Sequence, residues 1–186
     1  MTAKGYSKKP VLLGRSRGGP MALSWATANP DKVGGFAGIY PVCDIASYPG
    51  VERAAGAFDL KPDELKERLK QLNPVDRLER LAKAKLPLFA IHGDIDRVVP
   101  LEANSGRVKE RYAALGGTTT LIVPPQQGHN MWPGFFQCRE LVELVIASDW
   151  CSTRRRTTRW FSGTRRTSAL CACAASWARP QARPAR

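Results

Sequence analysis

The chain has 186 residues, 43% of them hydrophobic, enough for one domain with a real core, and no apolar run approaches the roughly 18 residues of a membrane-spanning helix. Its formal charge of +13 is not a basic nucleic-acid face, because nine arginines and no acidic residue fall in Cys151–Arg186, leaving +13 less nine, or +4, for residues 1–150. Three of the five cysteines (Cys151, Cys171, Cys173) lie in that same segment and no C-x-x-C pair occurs, which indicates neither a disulfide framework nor a zinc site and fits a reducing compartment.

Met1–Lys9 is polar, with three lysines, unlike a secretory leader. Val11–Leu13 reads as a short buried strand, and it runs into Gly14-Arg15-Ser16-Arg17-Gly18 and a helical pattern over Met21–Ala28. Asn29-Pro30-Asp31 closes that helix, and Val33–Tyr40 is a second buried strand. The pattern lapses over Pro41–Leu60, which predicts a small lid, a wall of a substrate pocket or an irregular surface excursion. Pro62–Leu72 is an amphipathic helix with Leu65, Leu69 and Leu72 on one face, and Val75–Ala84 carries a second helical pattern. Leu86–Ile91 is a third strand, Leu101–Leu115 a helix stopped by Gly116-Gly117, and Thr118–Val123 a fourth strand rich in β-branched residues. A loop over Pro124–Asn130 leads to a closing helix over Phe135–Ala147. Alternating strands and helices predict a doubly wound, mostly parallel α/β sheet, in which chemistry gathers at the carboxyl ends of the strands.

Three residues fall just past strand ends: Ser16, Asp96 and His129. A serine hydroxyl is a poor nucleophile until a base takes its proton, a histidine has a pKa suited to that task, and a carboxylate behind the histidine fixes its tautomer. Strand, G-x-S-x-G turn and helix in that order would lift the Ser16 hydroxyl above the sheet, and the Arg17 backbone N–H at the helix start could face an oxyanion. The glycines of the turn are expected wherever a side chain would strike a neighbouring element. Of the two histidines, His129 lies in the loop after the last strand, whereas His92 reads as a structural residue of its turn.

At these residues the chain resembles the α/β-hydrolase family, and Gly19, which extends the motif to G-x-S-x-G-G, is similar to the prolyl-oligopeptidase-like and esterase branch. His92-Gly93-Asp94-Ile95-Asp96-Arg97-Val98-Val99-Pro100 resembles the H-G-x-x-D-x-x-V-P segment of that family, which implies Asp96 as the acid, with Asp94 as a turn cap and the fallback. The resemblance covers residues 10 to about 148. It implies a Ser16-Asp96-His129 triad acting through an acyl-enzyme on a carboxylic ester, or alternatively on a short peptide. It implies no cofactor or metal, and neither a membrane nor a nucleic acid as partner.

Two departures qualify the resemblance. The elbow begins at residue 14, and no H-G-G stretch precedes it to give a second oxyanion donor, so residues 1–149 read as the C-terminal part of a catalytic domain, lacking the N-terminal strands and leaving Val11 at a bare sheet edge. Residues 150–186 lose lysine and any period, and are expected to be disordered. A truncated, silent hydrolase-like module and an arginine-tail binder of nucleic acid are the rival readings. Arg15 and Arg17 would draw in acidic substrates or else be salt-bridged or solvated. Met131, Trp132, Phe135 and Phe136 would line an acyl pocket or pack in the core.

Overall fold

The computed structural model describes residues 7–154, the segment 148–154 by backbone alone. Four strands, β1 (Val11–Arg15), β2 (Gly35–Ile39), β3 (Leu88–Ile91) and β4 (Thr119–Ile122), pair in that order, and every pair is parallel. Register is carried across the sheet through Leu12, Phe36, Leu88 and Thr119. The helices are α1 (Gly18–Ala28), α2 (Val51–Ala54), α3 (Pro62–Glu67), α4 (Leu69–Leu72), α5 (Glu79–Lys83), α6 (Arg107–Ala114) and α7 (Arg139–Arg154).

The two-residue period of the strands sorts the core into two faces. Leu12, Phe36 and Leu88 pack with Leu23 and Ala26 of α1, Leu81 of α5 and Val108 and Tyr112 of α6. Their chain neighbours Val11, Ala37, Ile39, Phe89 and Ile91 point the other way, against Phe135, Cys138 and Leu141. β2 and β3 are buried throughout, as the inner strands of a sheet covered on both sides must be. β1 has β2 on one side and, among the described residues, no strand on the other, and Leu13 is 57% exposed there.

Several predicted elements are reshaped. The helix expected over Pro62–Leu72 is two short helices that meet at Arg68 (φ −96°, ψ 7°). The break lets Leu65 and Leu72 reach one small apolar cluster with Ile45, Ala54 and Ala55. The helical pattern over Val75–Ala84 is realised as a 3-10 turn that starts one residue earlier, Pro74–Asp76, and then α5, and a 3-10 turn, Pro133–Phe135, precedes the closing helix, α7. The helix expected over Leu101–Leu115 opens with a π turn, Glu102–Gly106, before α6. The wider turn brings two successive polar side chains, Asn104 and Ser105, into the interior together. Backbone helix α7 continues into the segment expected to be disordered, whose residues from 155 onward lie outside the described residues.

Pro41–Leu60 does not begin as a surface excursion. Residues 41–45 are buried, and side chains from far along the chain satisfy their backbone. Asn104 Oδ1 accepts the N–H groups of Cys43 (2.8 Å) and Asp44 (2.9 Å), and its Nδ2 donates to Pro100 O and Ser47 Oγ. Asn73 Oδ1 accepts the N–H of Ile45, and Asn73 Nδ2 donates to the Asp44 carboxylate, which also receives Arg107 Nη1 at 2.8 Å. Asn104→Ala would strand two buried N–H donors, each costing about 1–3 kcal/mol. Its urea midpoint is expected to fall by the equivalent of about 3 kcal/mol. A loss under about 1 kcal/mol would mean that water replaces the amide.

Candidate active site

Ser16 sits at the end of β1 with a φ of 48°, in the left-handed region that a non-glycine residue enters only when its surroundings hold it there. Three backbone bonds do so. Ser16 N–H donates to Ile39 O at 3.1 Å, and Ser16 O accepts the N–H groups of Gly19 (2.9 Å) and Val42 (3.0 Å). A Cβ on Gly14 would come within 2.9 Å of Gly18 O and Gly19 Cα, and one on Gly19 within 2.8 Å of Pro41 Cβ and Val42 N. Gly18 differs from expectation: a Cβ there meets nothing within 4 Å, so the close packing is served by Gly14 and Gly19. Arg17 is the N-cap of α1, and among the described residues nothing accepts its backbone N–H.

The loops after β3 and β4 bring in the other two residues. Ser16 Oγ lies 2.8 Å from His129 Nε2, and His129 Nδ1 lies 2.7 Å from Asp96 Oδ2. The Asp96 side chain is fully buried, and its Oδ1 accepts the N–H groups of Val98 and Val99, both at 2.9 Å. The carboxylate is thus held by its own turn and offers one oxygen to the ring. Asp94 does not cap its own turn and does not meet His129. Its Oδ1 accepts Gln127 N–H, and Ile95 N–H donates to Gln127 O, so the acid loop is strapped to the histidine loop. Gly93 permits this, since a Cβ there would strike the Gln127 backbone.

His92 is wholly buried behind Asp96. Its Nε2 lies 2.8 Å from Val99 O, a pure acceptor, so that nitrogen carries the proton and Nδ1 accepts from Ser105 Oγ at 2.8 Å. Burial holds its pKa below the ordinary histidine value, against the upward pull of the Val99 carbonyl and Asp96. A neutral His92 therefore braces the acid turn while His129 faces the serine.

Tyr40 joins the site without belonging to any of its motifs. Its backbone turns with a φ of 35° at the end of β2, and its ring packs 4.4 Å from the His129 ring and edge-on to Phe135. Burial raises the Tyr40 pKa, with Arg15 opposing and Asp96 adding to the shift. The only hint in the sequence is an aromatic residue at a strand end before Pro41. Of the four apolar residues after His129, Phe135 belongs to the core, whereas Met131 (65% exposed), Trp132 and Phe136 stand at the surface. Among the described residues no three His, Cys, Asp or Glu side chains are grouped to hold a metal, and no helix is long and apolar enough to cross a membrane.

A parallel sheet between helices, a strained serine between strand and helix, and two loops from the same sheet edge define an α/β-hydrolase fold. The chain belongs to the prolyl oligopeptidase family, whose profile matches residues 4–145. No curated protein matches it. Among solved structures, it resembles Porphyromonas gingivalis dipeptidyl peptidase 4 with a TM-score of 0.59 and 19% identity, over 72% of this chain and 19% of that one. A Mycobacterium tuberculosis puromycin-hydrolyzing peptidase gives 0.55 and 17%, over 79% and 22%. A truncated carbohydrate esterase from gut microbiota gives 0.61 and 17%, over 80% and 63%. These likenesses are of fold. The chain spans about a fifth of the length of the two peptidases.

Proposed function

We propose that the chain hydrolyses a carboxylic ester or a short peptide through an acyl-enzyme. Ser16 Oγ attacks the carbonyl carbon as its proton passes to His129 Nε2. The Arg17 N–H receives the oxyanion, and His129 returns the proton to the leaving group. Water then repeats the sequence against the acyl-Ser16 ester, releasing the acid and restoring the serine. Asp96 holds His129 in the Nδ1–H tautomer and stabilises the imidazolium. The observation that carries the reading is the unbroken line from Ser16 Oγ to His129 (2.8 Å) to Asp96 (2.7 Å).

Ester cleavage is the first reading, because an alkoxide leaves more readily than an amine and makes less demand on the oxyanion donors. Membership in the prolyl oligopeptidase family favours a peptide as the second. An alkyl fluorophosphonate tests the shared chemistry: a single adduct is expected, and mass spectrometry should place it on Ser16. No adduct, or one on another residue, would refute the proposal. A p-nitrophenyl ester and a p-nitroanilide of the same acyl group then separate the two substrates.

A further inference from the structure

Arg15 presents a positive charge beside the elbow that no acid of the described residues neutralises. Strand alternation decides where it points. Val11 packs on the face covered by Phe135 and α7, and Arg15, four residues on in the same strand, projects from that face. Its Nη1 rests 3.3 Å from Met131 Sδ, and its guanidinium carbon lies 6.0 Å from the centroid of the Phe136 ring. A thioether is a weak acceptor and an aromatic face a soft one, so a fork with five donors keeps most of its capacity. Arg107, Arg111 and Arg139 each find a carboxylate, whereas among the described residues Arg15 has none within ion-pair reach.

The same Met131 Sδ lies 3.8 Å from the Tyr40 hydroxyl, and Tyr40 packs on His129. One side chain therefore separates the guanidinium from the tyrosine that backs the histidine. Arg17, on the other side of Ser16, is also exposed and makes no ion pair among the described residues. Two guanidinium groups without an ion-pair partner among the described residues therefore flank Ser16, and the fork on Arg15 rests on Met131 and Phe136 rather than on a carboxylate.

We propose that Arg15 is a specificity determinant that selects substrates bearing a carboxylate next to the scissile carbonyl. The inference rests on the hydrolase reading of Ser16. Two sources share this chemistry: an acidic side chain flanking the bond, and the free C-terminal carboxylate of a short peptide. Either replaces a thioether contact with charge-assisted, two-pronged hydrogen bonds.

The test is binding to Ser16→Ala protein, which reads recognition without turnover. Three coumarin-labelled tetrapeptides are compared: a neutral one with central glutamine and an amidated end, and two that each differ from it in one group, central glutamate with an amidated end and central glutamine with a free end. At low salt one carboxylate peptide is expected to bind about tenfold more tightly than the neutral one, and which of the two gains identifies the source. Arg15→Gln in the same background should erase the preference and Arg15→Lys should retain part of it, with the thermal midpoint of each variant as the folding control. Equal affinities for all three peptides, including equally undetectable ones, would overturn the proposal. So would a preference that survives Arg15→Gln. Failure of the hydrolase reading shows elsewhere, as wild-type protein that takes up no fluorophosphonate.

Discussion

Ser16→Ala is expected to lower the acylation rate on an activated ester by about 10⁴–10⁶-fold, or to background, and His129→Ala by a similar factor. The two effects should not add. In the proposed mechanism the hydroxyl is nucleophilic only because Nε2, 2.8 Å away, takes its proton, and that nitrogen accepts from no other group among the described residues. Once one member is gone the other has no step to perform. The double variant should therefore be as slow as either single one, its residual rate set by substrate binding and by the Arg17 N–H. Single-turnover release of p-nitrophenol measures all three. Losses that multiply would mean that Ser16 and His129 act in separate steps.

Asp96→Asn is expected to cost about 10⁴-fold in acylation while leaving the loop in place. The amide has one acceptor and one donor end. Val98 and Val99 N–H both point at the position of Oδ1, so the amide oxygen must stay there, which turns the NH2 toward His129 Nδ1. That nitrogen must then accept, which moves the ring proton to Nε2, facing the serine. A histidine in that tautomer cannot take the Ser16 proton. Asp96→Ala differs, because it strands two N–H groups and should lose stability as well as rate. Rate constants with denaturant midpoints for both variants separate the effects. An Asp96→Asn protein within about tenfold of wild type would mean that the carboxylate only anchors the turn.

The candidate site was legible because each of its members carries a local signal in the sequence. Each of Ser16, Asp96 and His129 follows a short apolar run that reads as a strand, and each brings its own turn residues. What stayed hidden depends on partners far along the chain. Nothing near Cys43 shows that Asn104 and Asn73 will satisfy its neighbourhood, so the sequence leaves lid, pocket wall and excursion open for a segment whose first five residues, 41–45, are interior. The π turn at Glu102–Gly106 follows from the same demand, since Asn104 serves that backbone while Ser105 serves His92. The break at Arg68 arises because Leu65 and Leu72 converge on a cluster built by another segment. Gly18 departs in the opposite sense: the motif includes it, yet its surroundings leave room for a side chain.

The strand that leads into Ser16 is one of the two edge strands of the sheet, tied laterally to β2 alone among the described residues. Interior strands are locked by two ladders, so a fluctuation at one is restrained by the other. Ser16 is bonded to the same neighbour, β2, through Ile39 O, so an opening of the β1–β2 seam would carry the serine away from His129, and under the proposed mechanism the closed fraction would scale the rate. A strand added along the free side that β1 shows among the described residues would favour the closed seam, and under the proposed mechanism would act on the rate without touching a reacting atom.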